Sequence, residues 1–544
     1  MGRLLAVSNS LSSAATGRYS GTAMNHTYAL TTLGCKVNQY ETQQLRELIE
    51  SYGLHRAPEG QAADLAVVNT CAVTCSAGAK SRQAIRHAAR DGRCTVVVGC
   101  HATADPTGVA AIPGVAAVIG HDDTLQRLRT LIEERFGSAT EDHRAGSPQN
   151  ADDRNTCLQA NGNEESIIPV SPLDGPSRIS ASRPTTNSIP GPALNVNIAA
   201  GPHRLSPTQS RPLATATHSG ASGCVEAAAD PSSQWPGIRA FADRQRAFLK
   251  IQDGCDAHCT YCIIPRLRRH LRSTSIEQAV EEARCLVAAG HREIVLTGIF
   301  LGAYGRQTAL RRRQHAAGSP LADLIDAIAR VDGLERLRLS SLEPGDVDHA
   351  LLAVMARHDC CVPHLHLPLQ SGSDRILRKM NRQYDVAAFL DMIERVNRVF
   401  DRPAITTDII VGFPGETDDD FASTCRVARR SGFAKIHAFP FSPRPQTAAA
   451  RWTRDFVPPP TTKARMARLR DLEQSLVLSY REEMIGTVER VIVERIDSTT
   501  GVACGRCDRY VEVWFDAPDC RPGDVVLVRI DRIAANRTHG TLVS

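Results

Sequence analysis

Apolar positions in this chain fall into two rhythms. Between residues 26 and 136, short β-branched runs, Tyr28-Ala-Leu-Thr-Thr-Leu33, Leu65-Ala-Val-Val-Asn69 and Thr95-Val-Val-Val-Gly99, read as strands, and Ala79 to Arg90 has helical spacing. This is an α/β domain with a cysteine just beyond each strand. From Arg246 to about Arg454 the strand-then-helix pattern resumes, with strands expected at Ala247–Ile251, Glu293–Leu296, Arg336–Leu339, His364–Leu367 and Ile405–Val411, and helices at Ile276–Ala289 and Ala322–Val331. Strands separated by helices imply a parallel sheet, and this many units imply a full or partial β/α barrel with its chemistry at the carboxyl ends of the strands. Pro458-Pro-Pro460 marks a boundary, and Thr461 to Met484 reads as an amphipathic helix. Gly486 to Ser544 then alternates apolar and polar residues with turn signals at Asp497-Ser-Thr-Thr-Gly501 and Pro522-Gly-Asp524, as in a small antiparallel β-barrel.

The fold class is therefore α/β, divided into an amino-terminal domain over 26–136, an insertion over 137–240, a barrel-like core over 241–480 and a β-barrel over 481–544. Residues 137–234 contain no Phe, Tyr or Trp and are rich in Ser, Pro, Asn, Thr and Ala; such a segment cannot bury enough apolar surface to offset the entropy of ordering, and it reads as a disordered linker.

Composition narrows the class only a little. Hydrophobic residues make up 42% and charged residues 23% of the 544, and no run of about 18 apolar residues marks a membrane span. The apolar stretch in Met1–Val7 is too brief for a secretory signal, so a cytoplasmic enzyme is expected; Met24, just before the first strand, is an alternative start. A net charge of +5 permits a polyanionic partner without requiring one. The 17 cysteines change the picture more: in a reducing compartment, clustered cysteines point to metal or catalysis. Cys157 and Cys224 lie in the insertion and receive no role; Cys75 and Cys94 are assigned to core or surface.

The strongest chemical signal is Cys255-Asp-Ala-His-Cys259-Thr-Tyr-Cys262, directly after the first strand of the barrel-like core. Three thiolates on one tight loop can hold three irons of a four-iron cluster and leave the fourth open to a ligand. The alternative is zinc, but a structural zinc site closes with four ligands, and His258, adjacent to Cys259, is awkwardly placed to share one metal with it. A second set, Cys35, Cys71 and Cys100, places one thiol after each of three strands, which could bring all three to a common point and again suggests a cluster with an open iron. The alternative there is burial as small core residues.

The string from Phe248 through Cys255 to Cys262-Ile-Ile-Pro-Arg266 resembles the methylthiotransferase branch of the radical S-adenosylmethionine superfamily. The resemblance implies that the open iron at the catalytic Cys255, Cys259 and Cys262 chelates S-adenosylmethionine, whose reductive cleavage gives a 5′-deoxyadenosyl radical. It implies cofactor contacts at Gly298, in Leu296-Thr-Gly298, at Ser340 and Glu343, in Ser340-Ser-Leu-Glu343-Pro344, and at Gly412, in Asp408-Ile-Ile-Val-Gly412-Phe-Pro-Gly-Glu416. His366-Leu-Pro368-Leu-Gln370-Ser-Gly372 and Met380-Asn-Arg382 are further family-like strings. It also extends to the amino-terminal domain, where a second [4Fe-4S] cluster on Cys35, Cys71 and Cys100 delivers sulfur. One S-adenosylmethionine methylates that sulfur; a second supplies the radical that removes hydrogen from carbon 2 of an adenine, and the methylthio group joins that carbon.

Within the family, Leu33-Gly-Cys-Lys-Val-Asn38-Gln-Tyr-Glu41 is most similar to the branch acting on N6-threonylcarbamoyladenosine beside the anticodon of tRNA. The alternatives are the branches acting on N6-isopentenyladenosine and on an aspartate of a ribosomal protein. The expected partners are tRNA and an electron donor such as flavodoxin or ferredoxin. The carboxyl-terminal module is similar to the RNA-binding TRAM barrel of these enzymes, with Arg490, Arg495, Arg506, Arg509, Arg529, Arg532 and Arg537 available for phosphates. A lone Cys504-Gly-Arg-Cys507 is a weak zinc signal. The chain departs from the family pattern at Leu267-Arg-Arg-His270-Leu-Arg-Ser273, which lacks a glycine, and at His101-Ala-Thr103 after Cys100. A reading from a different class, a non-catalytic RNA-binding or iron-storage protein, leaves the glycine and Pro-Gly-Glu strand ends unexplained.

Overall fold

The computed structural model describes residues 26–90, 94–137, 235–241, 245–311, 318–517, 519–534 and 537–543. Most of the linker expected over 137–240, with Cys157 and Cys224, and the alternative start at Met24 lie outside them. Residues 235–240, drawn into the linker from sequence, behave otherwise. Ile238 and Phe241 are buried in the core, and the Ile238 amide donates to Glu282.

The amino-terminal domain is a parallel five-stranded sheet of β1 (Thr27–Thr32), β2 (His55–Arg56), β3 (Leu65–Thr70), β4 (Cys94–Gly99) and β5 (Val115–Val118), in the order β2-β1-β3-β4-β5. Val67 and Val96 face one apolar cluster with Leu45, Ile49 and Leu128; Val68 and Val97 face another with Ile85 and Val109. Helices covering both faces are why the central strands read as continuous valine runs rather than alternating ones. Strand order reverses between β1 and β3, and in such doubly wound sheets ligands bind beyond the carboxyl ends at this switch point. Helix α1 (Lys36–Glu50) starts there, with Cys35 at its N-cap. Helix α2 (Cys75–Ala89) begins four residues before the expected Ala79, because the Thr74 hydroxyl accepts from the Ala77 amide and caps it. Cys100 opens the short helix α3 (Cys100–Ala104).

The core contains six parallel strands, β6 (Arg246–Asp253), β8 (Glu293–Gly298), β9 (Arg336–Leu339), β10 (His364–His366), β11 (Ala404–Val411) and β12 (Lys435–Pro440), plus β7 (Arg272–Ser273), antiparallel to β6. Bridges at Leu337/Cys361 and Ser341/His366 carry the sheet from β9 to β10. No pairing returns β12 to β6 among the described residues, so the barrel is partial. The sixth strand, Lys-Ile-His-Ala-Phe-Pro, carries too few β-branched residues to be read from sequence. Helix Pro459–Glu482 takes Pro459 and Pro460 into its first turn, where a missing amide proton costs nothing.

β13 (Val488–Ile496), β14 (Val502–Cys507), β15 (Glu512–Asp516), β16 (Val525–Ala534) and β17 (Arg537–Leu542) close a carboxyl-terminal barrel in the order β13-β14-β15-β17-β16. It is fastened to the core by buried charge. Arg336 pairs with Glu293 at 3.2 Å and with Asp508 at 2.7 Å, and donates to the carbonyls of Arg490 and Arg506; Arg338 pairs with Glu293 at 2.9 Å. Burial pushes the Glu293 carboxyl up, but Arg338, Arg246 and Arg336 outweigh it and hold it at about 2. No helix among the described residues is long and apolar enough to cross a membrane.

A second buried charge cluster docks the amino-terminal domain. Arg268, 1% exposed in its side chain, makes two bonds to Glu41 at 2.7 and 2.9 Å and pairs with Asp253 at 3.0 Å; Lys250 pairs with the same two carboxylates at 2.9 and 2.6 Å. His121 reaches Asp253 at 3.0 Å. Nearby, the Tyr40 hydroxyl donates to Glu282 at 2.8 Å, and Gln44 donates to the Pro236 carbonyl. Glu41, His121 and Asp253 lie close enough to hold a metal ion, but a guanidinium and an ammonium already occupy that position. Burial raises the Glu41 carboxyl, and Arg268 and Lys250 together override it, leaving it at about 2. A depressed folded pKa stabilises the fold above the unfolded value of about 4.3, and that contribution is lost as pH falls towards about 2. Glu41→Gln is expected to cost about 3–5 kcal/mol in guanidinium unfolding at neutral pH, because it leaves excess positive charge buried, and to flatten the acid limb of the stability profile. An unfolding midpoint equal to wild type at pH 7 would refute this.

Candidate functional site

The amino-terminal thiols converge because their strands are neighbours. Cys35 follows β1, Cys71 follows β3 and Cys100 follows β4, three adjacent parallel strands that end at one edge. Gly34, at φ +114°, lies against Cys71: a β-carbon there would stand 2.9 Å from Cys71 Cβ and 3.1 Å from its Sγ, so only glycine brings Cys35 this close. Asn38 laces the edge, donating to the carbonyls of Leu33 at 2.7 Å and Thr70 at 3.0 Å, while Asn69 donates to the Asn38 carbonyl at 2.9 Å. Ser81 fixes the turn at Cys71, accepting from its amide and donating to its carbonyl. Cys71 and Cys100 are buried and Cys35 is exposed. Burial pushes Cys71 up to about 12, and the neighbouring Cys35 and Cys100 add to the shift. The raised Cys71 and Cys100 thiols suit a cation that binds them together and displaces their protons.

Cys255, Cys259 and Cys262 lie on the loop after β6. Gly254, at φ +80°, makes the turn into it; a β-carbon would sit 2.0 Å from the His270 carbonyl oxygen. The Cys255 amide donates to the Arg268 carbonyl, and the Ala257 amide lies 3.4 Å from Cys255 Sγ. Burial raises all the way to about 12 the Cys262 thiol, with Cys259 adding to it. His258 is exposed, with φ 51°, and its carbonyl accepts from Asn381. Arg382 is buried against this loop: it lies 3.3 Å from Cys259 Sγ and 3.3 Å from the Tyr261 hydroxyl, and it donates at 2.6 Å to Glu343 Oε1.

Around the loop stand the other residues singled out from sequence, each at the carboxyl end of a core strand. Ser340, after β9, is buried with no partner for its Oγ, and Glu343 is buried with no hydrogen bond to Oε2. The orphaned Ser340 Oγ, with a Glu343 Oε2 whose one partner is Arg311 at 3.8 Å, is what a cradle for an amino-acid-bearing cofactor requires, because such atoms are costly unless a ligand satisfies them. Gly298 ends β8 with its α-carbon against Gln252, where a β-carbon would lie 3.0 Å from Gln252 Cβ. Gly412 is different. Its φ is +75° and a β-carbon would meet Thr462 Oγ1 at 2.5 Å, so packing against helix Pro459–Glu482 accounts for this glycine.

Known families and relatives match both parts of the chain that carry these thiols. A model described as the radical SAM superfamily matches residues 249–428, and one described as uncharacterized protein family UPF0004 matches 27–120. A threonylcarbamoyladenosine tRNA methylthiotransferase of Bacillus subtilis is 33% identical over 95% of this chain and 96% of its own length. The chain belongs to the radical S-adenosylmethionine methylthiotransferase family. A tRNA-2-methylthio-N(6)-dimethylallyladenosine synthase of Mycobacterium bovis is 32% identical over 93% of the chain and 85% of its own length. Among solved structures, a cobalamin-binding radical S-adenosylmethionine methyltransferase from Kitasatospora setae aligns over 78% of the chain and 77% of its own, at 13% identity and a TM-score of 0.45. As a member of this family the protein uses an iron–sulfur cluster and S-adenosylmethionine, and the donor set after β6 fits both.

In this methylthiotransferase the carboxyl-terminal arginines are largely committed elsewhere. Arg509 pairs with Glu489 at 2.8 Å, Arg490 with Asp508 at 3.1 Å, and Arg506 stacks on Tyr510. Arg495 and Arg529 have rim carboxylates, Glu512 at 3.6 Å and Asp531 at 3.2 Å, while Arg537 lies over the Trp514 ring. Cys504 and Cys507 are both buried in the barrel, which accounts for them as core residues. Sequence reasoning missed the docking role of Glu41 and Arg268. In a protein whose Cys35, Cys71 and Cys100 are all alanine, Gly254→Val is expected to reduce the iron retained after anaerobic reconstitution to near background; iron per chain and the charge-transfer absorbance measure this, and unchanged iron would contradict it.

Proposed function

We propose that the protein methylthiolates carbon 2 of N6-threonylcarbamoyladenosine beside the anticodon of tRNA, consuming two S-adenosylmethionine molecules. In this reading Cys255, Cys259 and Cys262 hold one [4Fe-4S] cluster and Cys35, Cys71 and Cys100 hold a second. The observation that carries it is the juxtaposition of the two thiol sets. Ile263 and Leu267, one and five residues beyond Cys262, pack against Ala72 and Cys100 in one apolar cluster. Two cluster sites whose flanking residues touch can act on one substrate atom; two independent structural clusters would not need the contact. The choice of nucleoside is supported by the string Leu33 to Glu41 and by full-length similarity to proteins named for threonylcarbamoyladenosine.

When bound, the cofactors supply reductive cleavage of the sulfonium at the first site and the sulfur at the second; a C–H bond with no usable proton makes acid–base catalysis insufficient. The protein's share is positioning. Arg382 directs a positive charge at Cys259, offsetting the negative charge gathered by three thiolates, and Glu343 holds Arg382 in place. The Oε2 of Glu343, which makes no hydrogen bond, and the Oγ of Ser340 would receive the polar end of S-adenosylmethionine. Ala72, Ile263 and Leu267 give the ground between the sites an apolar lining. An electron donor of the flavodoxin or ferredoxin class supplies the reducing equivalents.

Mass analysis of tRNA nucleosides from a deletion strain tests the reading. The 2-methylthio derivative of N6-threonylcarbamoyladenosine should fall to background and return with the wild-type gene. The Cys35/Cys71/Cys100 triple-alanine gene should not restore it, although the purified variant should still release 5′-deoxyadenosine. Loss of the isopentenyladenosine derivative instead would transfer the protein to that branch, and unchanged methylthio content would overturn the proposal.

A further inference from the structure

A cavity of about 510 Å³ opens where the amino-terminal domain meets the core, walled in part by Ile263 and Leu267 from beyond Cys262 and by His101 from beyond Cys100. Its charge is one-sided. Arg82, Arg266, Arg269 and Arg444 line it, and none of the four has an ion-pair partner among the described residues. Asp105 is the single acid in the wall, and its carboxylate is engaged in capping the Gly108 amide. Three of the basic groups converge on one point: Arg82 Nη1, Arg444 Nη1 and His101 Cε1 each lie 3.7 Å from where a β-carbon on Gly78 would stand. His101 is 3% exposed, yet neither ring nitrogen has a partner, and the Nε of Arg444 is likewise buried and unpaired. Like charges crowded together with orphaned donors are unfavourable unless an anion completes them.

Resting on the function proposed above, we infer that this cavity is a subsite for an oxyanion of the substrate RNA close to the reacting adenine. Two sources share that chemistry, the carboxylate of the threonylcarbamoyl substituent and a neighbouring backbone phosphate. Guanidinium groups suit either, since their paired N–H donors match the two oxygens of a carboxylate or phosphate. The placement carries a further implication. The two stretches where the sequence departs from the family pattern, Leu267 to Ser273 and His101 to Thr103, both contribute to this one wall, through Leu267 and Arg269 and through His101 and Thr103. With the carboxylate as occupant, the cavity is where this chain sets its own substrate preference, since an isopentenyl group, which has no charge, would leave the arginines uncompensated.

The test is binding, read without turnover. Affinities of the full-length, reconstituted protein are measured at fixed salt for three anticodon stem-loops: one carrying N6-threonylcarbamoyladenosine, one with that carboxylate converted to its methylamide, and one with plain adenosine. If the carboxylate is the occupant, Arg82→Gln and Arg444→Gln each weaken binding of the first RNA by about tenfold or more and leave the other two unchanged, and wild type prefers the first RNA to the second by a similar factor. An equal loss on all three RNAs assigns the subsite to a phosphate. No loss on any of them overturns the inference. The wild-type comparison of the first two RNAs does not depend on the variants folding, which circular dichroism and iron content check. Product analysis on the wild type separates the two claims. Binding loss without methylthiolation would sink the proposed reaction and leave the subsite standing; methylthiolation without binding loss would do the reverse.

Discussion

Arg268 is the residue on which the geometry of the site turns. Within the core alone, Lys250 and Arg268 place two positive charges against the single carboxylate of Asp253, a buried excess that no folded domain tolerates well. Glu41 supplies the missing negative charge from the other domain, and its two bonds to Arg268 fix orientation as well as distance. Arg268 lies six residues beyond Cys262, and Glu41 lies six beyond Cys35. The charge pair therefore sets the separation of the two thiol sets almost directly. The Tyr40–Glu282 bond and the apolar contact of Cys100 with Ile263 and Leu267 complete the seam.

Each thiol set shows a different way of using strand ends. In the amino-terminal domain the thiols come from three strands of a doubly wound sheet, and the switch in strand order opens the crevice they share. In the core, all three come from a single loop, and the neighbouring strands contribute the surrounding polar groups instead. The first arrangement depends on the sheet's register; the second depends on Gly254 and on the backbone bond from Cys255 to Arg268. Arg268 thus contributes to both, by its carbonyl to the loop and by its side chain to the docking.

Much of this was legible in the sequence because it is local. The cysteine spacing over 255–262, the strand-end positions of Cys35, Cys71 and Cys100, and the glycine and acidic strand ends at Gly298, Ser340 and Glu343 all show in runs of a few residues. The Glu41–Arg268 pair spans 227 positions, and no periodicity connects two such residues. For the same reason Glu41 could be read only as part of a cysteine string, and not as a docking group. Strand β12 escaped notice because Lys-Ile-His-Ala-Phe-Pro is mostly not β-branched; it is a strand because β11 pairs with it along its whole length. Gly412 has a second reason to be glycine that the sequence did not show. A glycine at a strand end reads as close approach to a ligand, and at this one the backbone also closes on Thr462.

The attachment of the carboxyl-terminal barrel has its own consequence. Tyr510, held in the left-handed region at φ 66°, takes Arg246, Arg338 and Arg506 against its ring, and Asp508 anchors Arg336. A module tied down by buried charge cannot swing on a hinge. The outer face of the barrel thus stands at a set reach from the thiols, fixed by the same buried charges that hold its inner face.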